Sequence, residues 1–317
     1  MKMQFKIRVM TFGLVWATCI LAMAKPQPVQ TIEFDAPSVD RTMKYNIVLP
    51  EGYKKSKVNY PVLYLLHGLT SNYTHWALMG VPKYAARYDM IIVMPDVGNS
   101  WYINWAESDE GQKNAWEDYM ISDVIGHVDK NYRTINKREG RAINGLSMGG
   151  YGAFVLGLRH PEMFCSVGSH SGALSYVSRH RERIESGATG PTPRRRPLSE
   201  KPAKSIGIEN FSSQLERTPK GTAFVTVEQC DAYDPFKLVL QIPKEELPHL
   251  HIDCGTEDGL IRSARAMQTL LIENTIPFTY AESSGGHKPA YWTREVAHSM
   301  AVQYNVIQRN LATLESR

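Results

Sequence analysis

The chain has 317 residues, of which 43% are hydrophobic and 21% charged, enough apolar material for a sizeable core and too little compositional bias for a disordered polypeptide. Residues 1–24 carry Lys2, Lys6 and Arg8 and no acidic side chain, so without them the formal net charge falls from +4 to +1. A near-neutral chain gives no reason to invoke nucleic acid or an anionic membrane surface as a partner.

The first residues have the pattern of a targeting segment. The three basic residues are followed by an apolar stretch, Val9 to Leu21, and by the small-residue pattern Ala22-Met23-Ala24. This predicts a signal peptide over 1–24, an exported (periplasmic or secreted) protein, and one domain over 25–317. A retained anchor is the alternative, but the stretch is shorter than the ~20 apolar residues that a spanning helix needs, and no later stretch qualifies. With Cys19 removed, Cys165, Cys230 and Cys254 remain. An odd number with no CxxC spacing indicates neither a disulfide framework nor a zinc site, and buried single thiols are expected.

Further along, strand-like and helix-like segments alternate. Met43, Tyr45, Ile47 and Leu49 recur at period two, as in a half-buried strand. Val62 to Leu66 and Met90 to Met94 are short continuous apolar runs of the kind found in fully buried parallel strands. Further strands are predicted at Arg141 to Asn144, Leu250 to Cys254 and Phe278 to Ala281. Helices are predicted at Ala115 to Val128, Met148 to Leu158, Leu260 to Glu273 and Thr293 to Gln308. This order predicts a doubly wound α/β fold with a mostly parallel sheet and helices on both faces. One stretch, about 178–221, breaks the rhythm: it is polar, carries Arg194-Arg195-Arg196 and lacks periodicity. It reads either as a lid-like insertion over a site or as a solvated excursion.

The strongest motif is Gly145-Leu146-Ser147-Met148-Gly149, placed between a predicted strand and a predicted helix. A G-x-S-x-G turn in that setting holds its serine in a strained elbow with the hydroxyl exposed, which marks Ser147 as the candidate nucleophile. A serine hydroxyl needs a base, and the base needs a third group to fix its tautomer. With this elbow the partners follow in the order acid, then histidine. After the strand ending at Cys254 the acid candidates are Asp253, Glu257 and Asp258, with Asp258 preferred because Asp253 lies inside the strand pattern. After the next strand, Gly285-Gly286-His287 places His287 as the base. The backbone N–H groups of Met148 and Leu69 are the expected oxyanion donors, Leu69 because it follows the apolar run Leu63 to Leu66 in His67-Gly68-Leu69. Trp76, Trp101, Tyr102, Trp105, Tyr291 and Trp292 crowd the loops expected around this site, where they serve as substrate walls or as core. Trp101 and Trp292 are the two expected to touch substrate.

Taken together, Tyr64-Leu65-Leu66-His67-Gly68, Met94-Pro95-Asp96, Gly98 to Tyr102, Gly145 to Gly150, Asp253-Cys254-Gly255 with Asp258, and Gly285-Gly286-His287 with Trp292 resemble the esterase D-type branch of the α/β-hydrolases. That branch includes S-formylglutathione hydrolases, tributyrin-type, feruloyl and acetylxylan esterases, and mycolyl transferases. The resemblance spans roughly Glu33 to Asn310 and implies the same assignments of Ser147, Asp258, His287, Leu69 and Met148. The stretch 178–221 is longer and more charged than the family pattern, and export argues against a cytosolic glutathione thioester. The expectation is therefore a serine carboxylic-ester hydrolase acting on short acyl or acylated-carbohydrate (acetyl or feruloyl) esters, small-molecule or polysaccharide. The alternatives are an acyltransferase using the same acyl-enzyme and an inactive glycan-binding homologue. Neither a phosphate-cradling glycine loop nor a metal-ligand cluster is present, so no cofactor and no metal is expected. Nothing in the sequence sets an oligomeric state.

Overall fold

The computed structural model describes residues 25–188 and 217–316. The expected signal peptide and the Arg194–Arg196 run lie outside the described residues. The described residues form the strands β1 Val29–Ala36, β2 Arg41–Val48, β3 Val62–Leu66, β4 Ile91–Pro95, β5 Glu107–Ser108, β6 Arg141–Leu146, β7 Ser166–His170, β8 Gly221–Thr222, β9 His249–Gly255 and β10 Phe278–Ser283. The helices are α1 His75–Leu78, α2 Val81–Ala85, α3 Trp116–Asp118, α4 Ile125–Asn131, α5 Met148–Arg159, α6 Ser178–Glu185, α7 Val227–Asp231, α8 Pro235–Gln241, α9 Ile261–Glu273 and α10 Pro289–Glu315. A π-helical turn over Tyr119–Val124 joins α3 to α4, so the helix expected over 115–128 is one continuous helical path.

Eight strands form one sheet in the order β1-β2-β4-β3-β6-β7-β9-β10. β1 pairs antiparallel with β2, and β2 pairs antiparallel with β4. Every other neighbour in the sheet is parallel. Alternation along each central strand feeds two separate apolar layers. Val62, Tyr64 and Leu66 of β3 join one layer with Ile91 and Val93 of β4 and Phe154 and Leu156 of α5. Leu63 and Leu65 join the other with Ile92, Met94 and the Tyr291, Val296, Met300 and Ile307 face of α10. A strand buried on both faces needs an apolar residue at every position, which is why β3 and β4 read as continuous runs instead of alternating ones.

The parallel strands β3, β6, β7, β9 and β10 all point the same way, so the residues after their C-terminal ends collect at one edge. Open α/β sheets place their ligand crevice there. Cys165, Cys230 and Cys254 are all unpaired and buried, and burial pushes the Cys165 thiol up to about 12. Where the sequence shows no periodicity, Ser178–Glu185 forms the short helix α6, none of whose residues is buried. At the far side of the undescribed stretch, Gly221–Thr222 pairs with Glu107–Ser108 as a two-stranded ribbon.

Candidate active site

Ser147 sits between β6 and α5 with φ 55° and ψ −115°. For a residue with a side chain this conformation costs on the order of 1–3 kcal/mol, so its surroundings must impose it. They do so through three backbone bonds: Ser147 N–H donates to His170 O at 3.0 Å, and Ser147 O accepts from Ala173 N–H at 3.0 Å and from Tyr151 N–H at 3.1 Å. The two motif glycines answer a steric demand. A Cβ on Gly145 would lie 2.3 Å from Gly149 O, and a Cβ on Gly149 would lie 2.4 Å from Leu66 O. The turn therefore packs backbone against backbone, against itself and against the end of β3, and a methyl at either position would push them apart.

The other two side chains meet the serine from separate loops. His287, beyond β10, has its Nε2 2.9 Å from Ser147 Oγ and its Nδ1 2.8 Å from Asp258 Oδ2. Asp258, beyond β9, has a fully buried side chain whose other oxygen accepts from Leu260 N–H at 2.9 Å. Burial alone would raise its pKa, but the hydrogen bond from His287 and the one from Leu260 N–H outweigh it, and the carboxyl lies below the usual range. It is thus ionised near neutral pH and holds the imidazole with Nδ1 protonated and Nε2 free to accept the serine hydroxyl. Hydroxyl, imidazole and carboxylate form a single hydrogen-bonded line.

The other two acid candidates have other partners. Glu257 is exposed; its carboxylate accepts from Gly285 N–H and lies 3.5 Å from Ser284 Oγ, so it supports the turn that carries His287. Asp253 is buried inside β9, with its Oδ1 against His170 Nδ1 and accepting from Tyr291 O–H at 3.1 Å. Burial would raise its pKa, and the contacts with His170 and His251 outweigh it and leave it far below the usual range. The pair of His170 and Asp253 ties the end of β7, whose His170 carbonyl holds Ser147, to β9 and α10. His170 belongs to no motif, since its partner Asp253 comes from a strand that becomes its neighbour only in the folded sheet.

Met148 is the first residue of α5, where a backbone N–H has no intrahelical acceptor. Leu69 belongs to the loop after β3, and that loop lies against the elbow: a Cβ on Gly68 would stand 3.4 Å from Ser147 Cβ. Trp76 Nε1 donates to Leu66 O at 2.9 Å and Tyr102 O–H to His67 O at 2.9 Å, fixing the strand end from which the loop leaves.

Most of the candidate aromatic wall is core. Trp76, Tyr102 and Tyr291 are buried. Trp292, expected to touch substrate, is only 7% exposed and stands edge-on to the His287 ring at 4.7 Å, so it backs the imidazole and offers no open face. Trp101 is half-buried and stacks on Tyr176 with ring centroids 3.6 Å apart and planes 8° from parallel. Tyr176, outside the expected set, lies just before α6, where no motif marks it. Among the described residues, no group of three or more His, Cys, Asp or Glu side chains is arranged to hold a metal ion.

The esterase family matches residues 36–301 of the chain. An esterase of Mycobacterium tuberculosis H37Rv is 30% identical over 245 residues, covering 76% of this chain and 52% of that protein. The chain thus spans about half the length of that mycobacterial relative. An acetyl esterase of Caldicellulosiruptor saccharolyticus is 27% identical over 243 residues, covering 76% of this chain and 82% of the relative. Among solved structures, a ferulic acid esterase superposes with a TM-score of 0.66 at 23% identity, over 89% of this chain and all of that one, and shares the fold.

Proposed function

The chain belongs to the esterase family, and from that premise we propose that it is a serine carboxylic-ester hydrolase, exported, acting through an acyl-enzyme on short acyl and acylated-carbohydrate esters. One observation carries the reading: Ser147 Oγ, His287 and Asp258 stand in a line of 2.9 and 2.8 Å contacts, drawn from three different strand ends. In the first half-reaction Ser147 Oγ attacks the ester carbonyl as its proton passes to His287 Nε2. Asp258 stabilises the imidazolium, and the N–H groups of Met148 and Leu69 receive the negative charge that develops on the carbonyl oxygen. Collapse of the tetrahedral intermediate expels the alcohol, which takes the proton from His287. Water then attacks the acyl-Ser147 with the same base, releasing the acid and restoring the hydroxyl.

The similarity to an acetyl esterase supports a short acyl group. The half-buried stack of Trp101 on Tyr176 supports an alcohol portion with a flat or sugar face, since aromatic rings offer such groups apolar contact area. The segment over residues 1–24 supports export. No helix of the described residues is long and apolar enough to cross a membrane. The test is release of free acid from p-nitrophenyl acetate and butyrate, acetylated xylan and methyl ferulate, with and without an added alcohol acceptor. Acetate release from the acetyl esters is expected, with little diversion to the acceptor. Turnover of none of them, by protein whose Ser147 still reacts with a fluorophosphonate, would remove this substrate class. Products formed mainly on the acceptor would make the protein a transferase.

A further inference from the structure

The turn that carries Leu69 is held from outside itself. Ser71 N–H donates to Gly68 O at 3.2 Å, closing a four-residue turn over 68–71 in which Thr70, at the third position, has φ +65°. A β-branched residue is disfavoured there; turns that need positive φ at that position generally use glycine or asparagine. Thr70 N–H donates to Asn99 Oδ1 at 2.8 Å, a bond available only while the turn keeps this shape. From the opposite side, Val97 N–H donates to His67 Nε2 at 3.2 Å, which leaves the proton on Nδ1, 2.8 Å from Gly68 O. Both contacts come from the loop after β4.

Asn99 is in turn fixed by the chain just before β8. It is 2% exposed, its own N–H donates to Arg217 O at 2.9 Å, and its Nδ2 donates to Thr218 Oγ1 at 3.0 Å. The Arg217 guanidinium bonds Asp96 Oδ1 at 2.8 Å, and the same oxygen accepts from Gly98 N–H at 2.9 Å. Gly98 accommodates this contact because a Cβ there would lie 2.4 Å from Arg217 O, at a φ of +56°. Asn99 is thus set between the donor turn on one side and an arginine-clamped loop on the other.

We propose that Asn99, clamped by Arg217, is a positioning residue that fixes the Leu69 N–H as the second donor to the developing oxyanion. The inference rests on the functional reading above. A residue that merely braces two loops would lower thermal stability on truncation and leave the chemical step alone. One that aims an oxyanion donor affects the transition state more than the bound ester, because the charge exists only in the former.

The experiment is p-nitrophenyl acetate kinetics and affinity for an alkyl boronic acid, which forms a charged tetrahedral adduct with an active-site serine, on Asn99→Ala, Asn99→Asp, Arg217→Met and Ser147→Ala. Losing one oxyanion donor costs about 100- to 1,000-fold in kcat, so Asn99→Ala is expected to lose about 100-fold with KM within about twofold, and to bind the boronic acid correspondingly less well. Asn99→Asp retains an acceptor for Thr70 N–H but gives up the Nδ2 donor to Thr218, and it recovers part of the rate lost in Asn99→Ala. Arg217→Met loses in the same direction by about 10-fold, and it carries the test if Asn99→Ala fails to fold. An unchanged kcat in folded Asn99→Ala and Arg217→Met, equal losses in Asn99→Ala and Asn99→Asp, or a loss confined to KM would overturn the assignment. A dead Ser147→Ala beside an undiminished Asn99→Ala sinks the positioning claim alone; a fully active Ser147→Ala sinks the functional reading beneath it.

Discussion

Ser147→Ala is expected to lower kcat for p-nitrophenyl acetate by on the order of a millionfold, to the background left by binding and the oxyanion donors. The hydroxyl is 2.9 Å from His287 Nε2, and among the described residues no other hydroxyl bonds that nitrogen. Stability should barely change, because alanine at the same φ of 55° keeps the same backbone strain and the same three backbone bonds. A thermal melt followed by circular dichroism, run beside the initial-rate assay, separates loss of chemistry from loss of fold. A variant retaining more than about one hundredth of the wild-type rate would show that the serine is not the nucleophile.

Asp258→Asn should cost about 10⁴-fold in kcat, while Glu257→Gln should cost no more than about tenfold. The two carboxylates are neighbours in sequence and differ in what they hold. Asp258 accepts the Nδ1 proton of His287 at 2.8 Å inside a fully buried setting, so an amide there either presents N–H to Nδ1 or turns the ring, and in both cases Nε2 ceases to be the accepting nitrogen. Glu257 holds the Gly285 N–H and the Ser284 and Thr256 hydroxyls, contacts that an amide oxygen partly replaces. Initial rates across pH for both variants decide between them, and a larger loss in Glu257→Gln would reverse the assignment of the acid.

The parts of this architecture that the sequence discloses are those where local chemistry and tertiary demand coincide. β3 and β4 are legible because strands buried on both faces require unbroken apolar runs, and the elbow because its glycines answer a clash measured in backbone atoms. β7, Ser166-Val167-Gly168-Ser169-His170, escapes the same reasoning: every residue is buried, yet small polar side chains give no apolar run. β1 escapes for the opposite reason. It is an edge strand with mostly exposed residues, and only its antiparallel register with β2 defines it.

At the site, the chain order of elbow, acid and histidine selects which loops carry Ser147, Asp258 and His287, and the structure brings those three side chains together. Burial of the aromatic residues is settled by packing across loops, which is why Trp292 turns up behind His287 and Tyr176 appears unannounced beneath Trp101. The clamp of Arg217 on Asp96 joins residues more than a hundred positions apart, and neither belongs to a motif that would point to the other.

The most direct measurement is the mass of protein quenched in acid during steady-state turnover of p-nitrophenyl acetate, followed by peptide mapping. A burst of about one p-nitrophenol per chain and an added acetyl group on the peptide that contains Ser147 are expected. Steady turnover with no burst and no adduct, or an acetyl group carried on a different residue, would contradict a Ser147 acyl-enzyme.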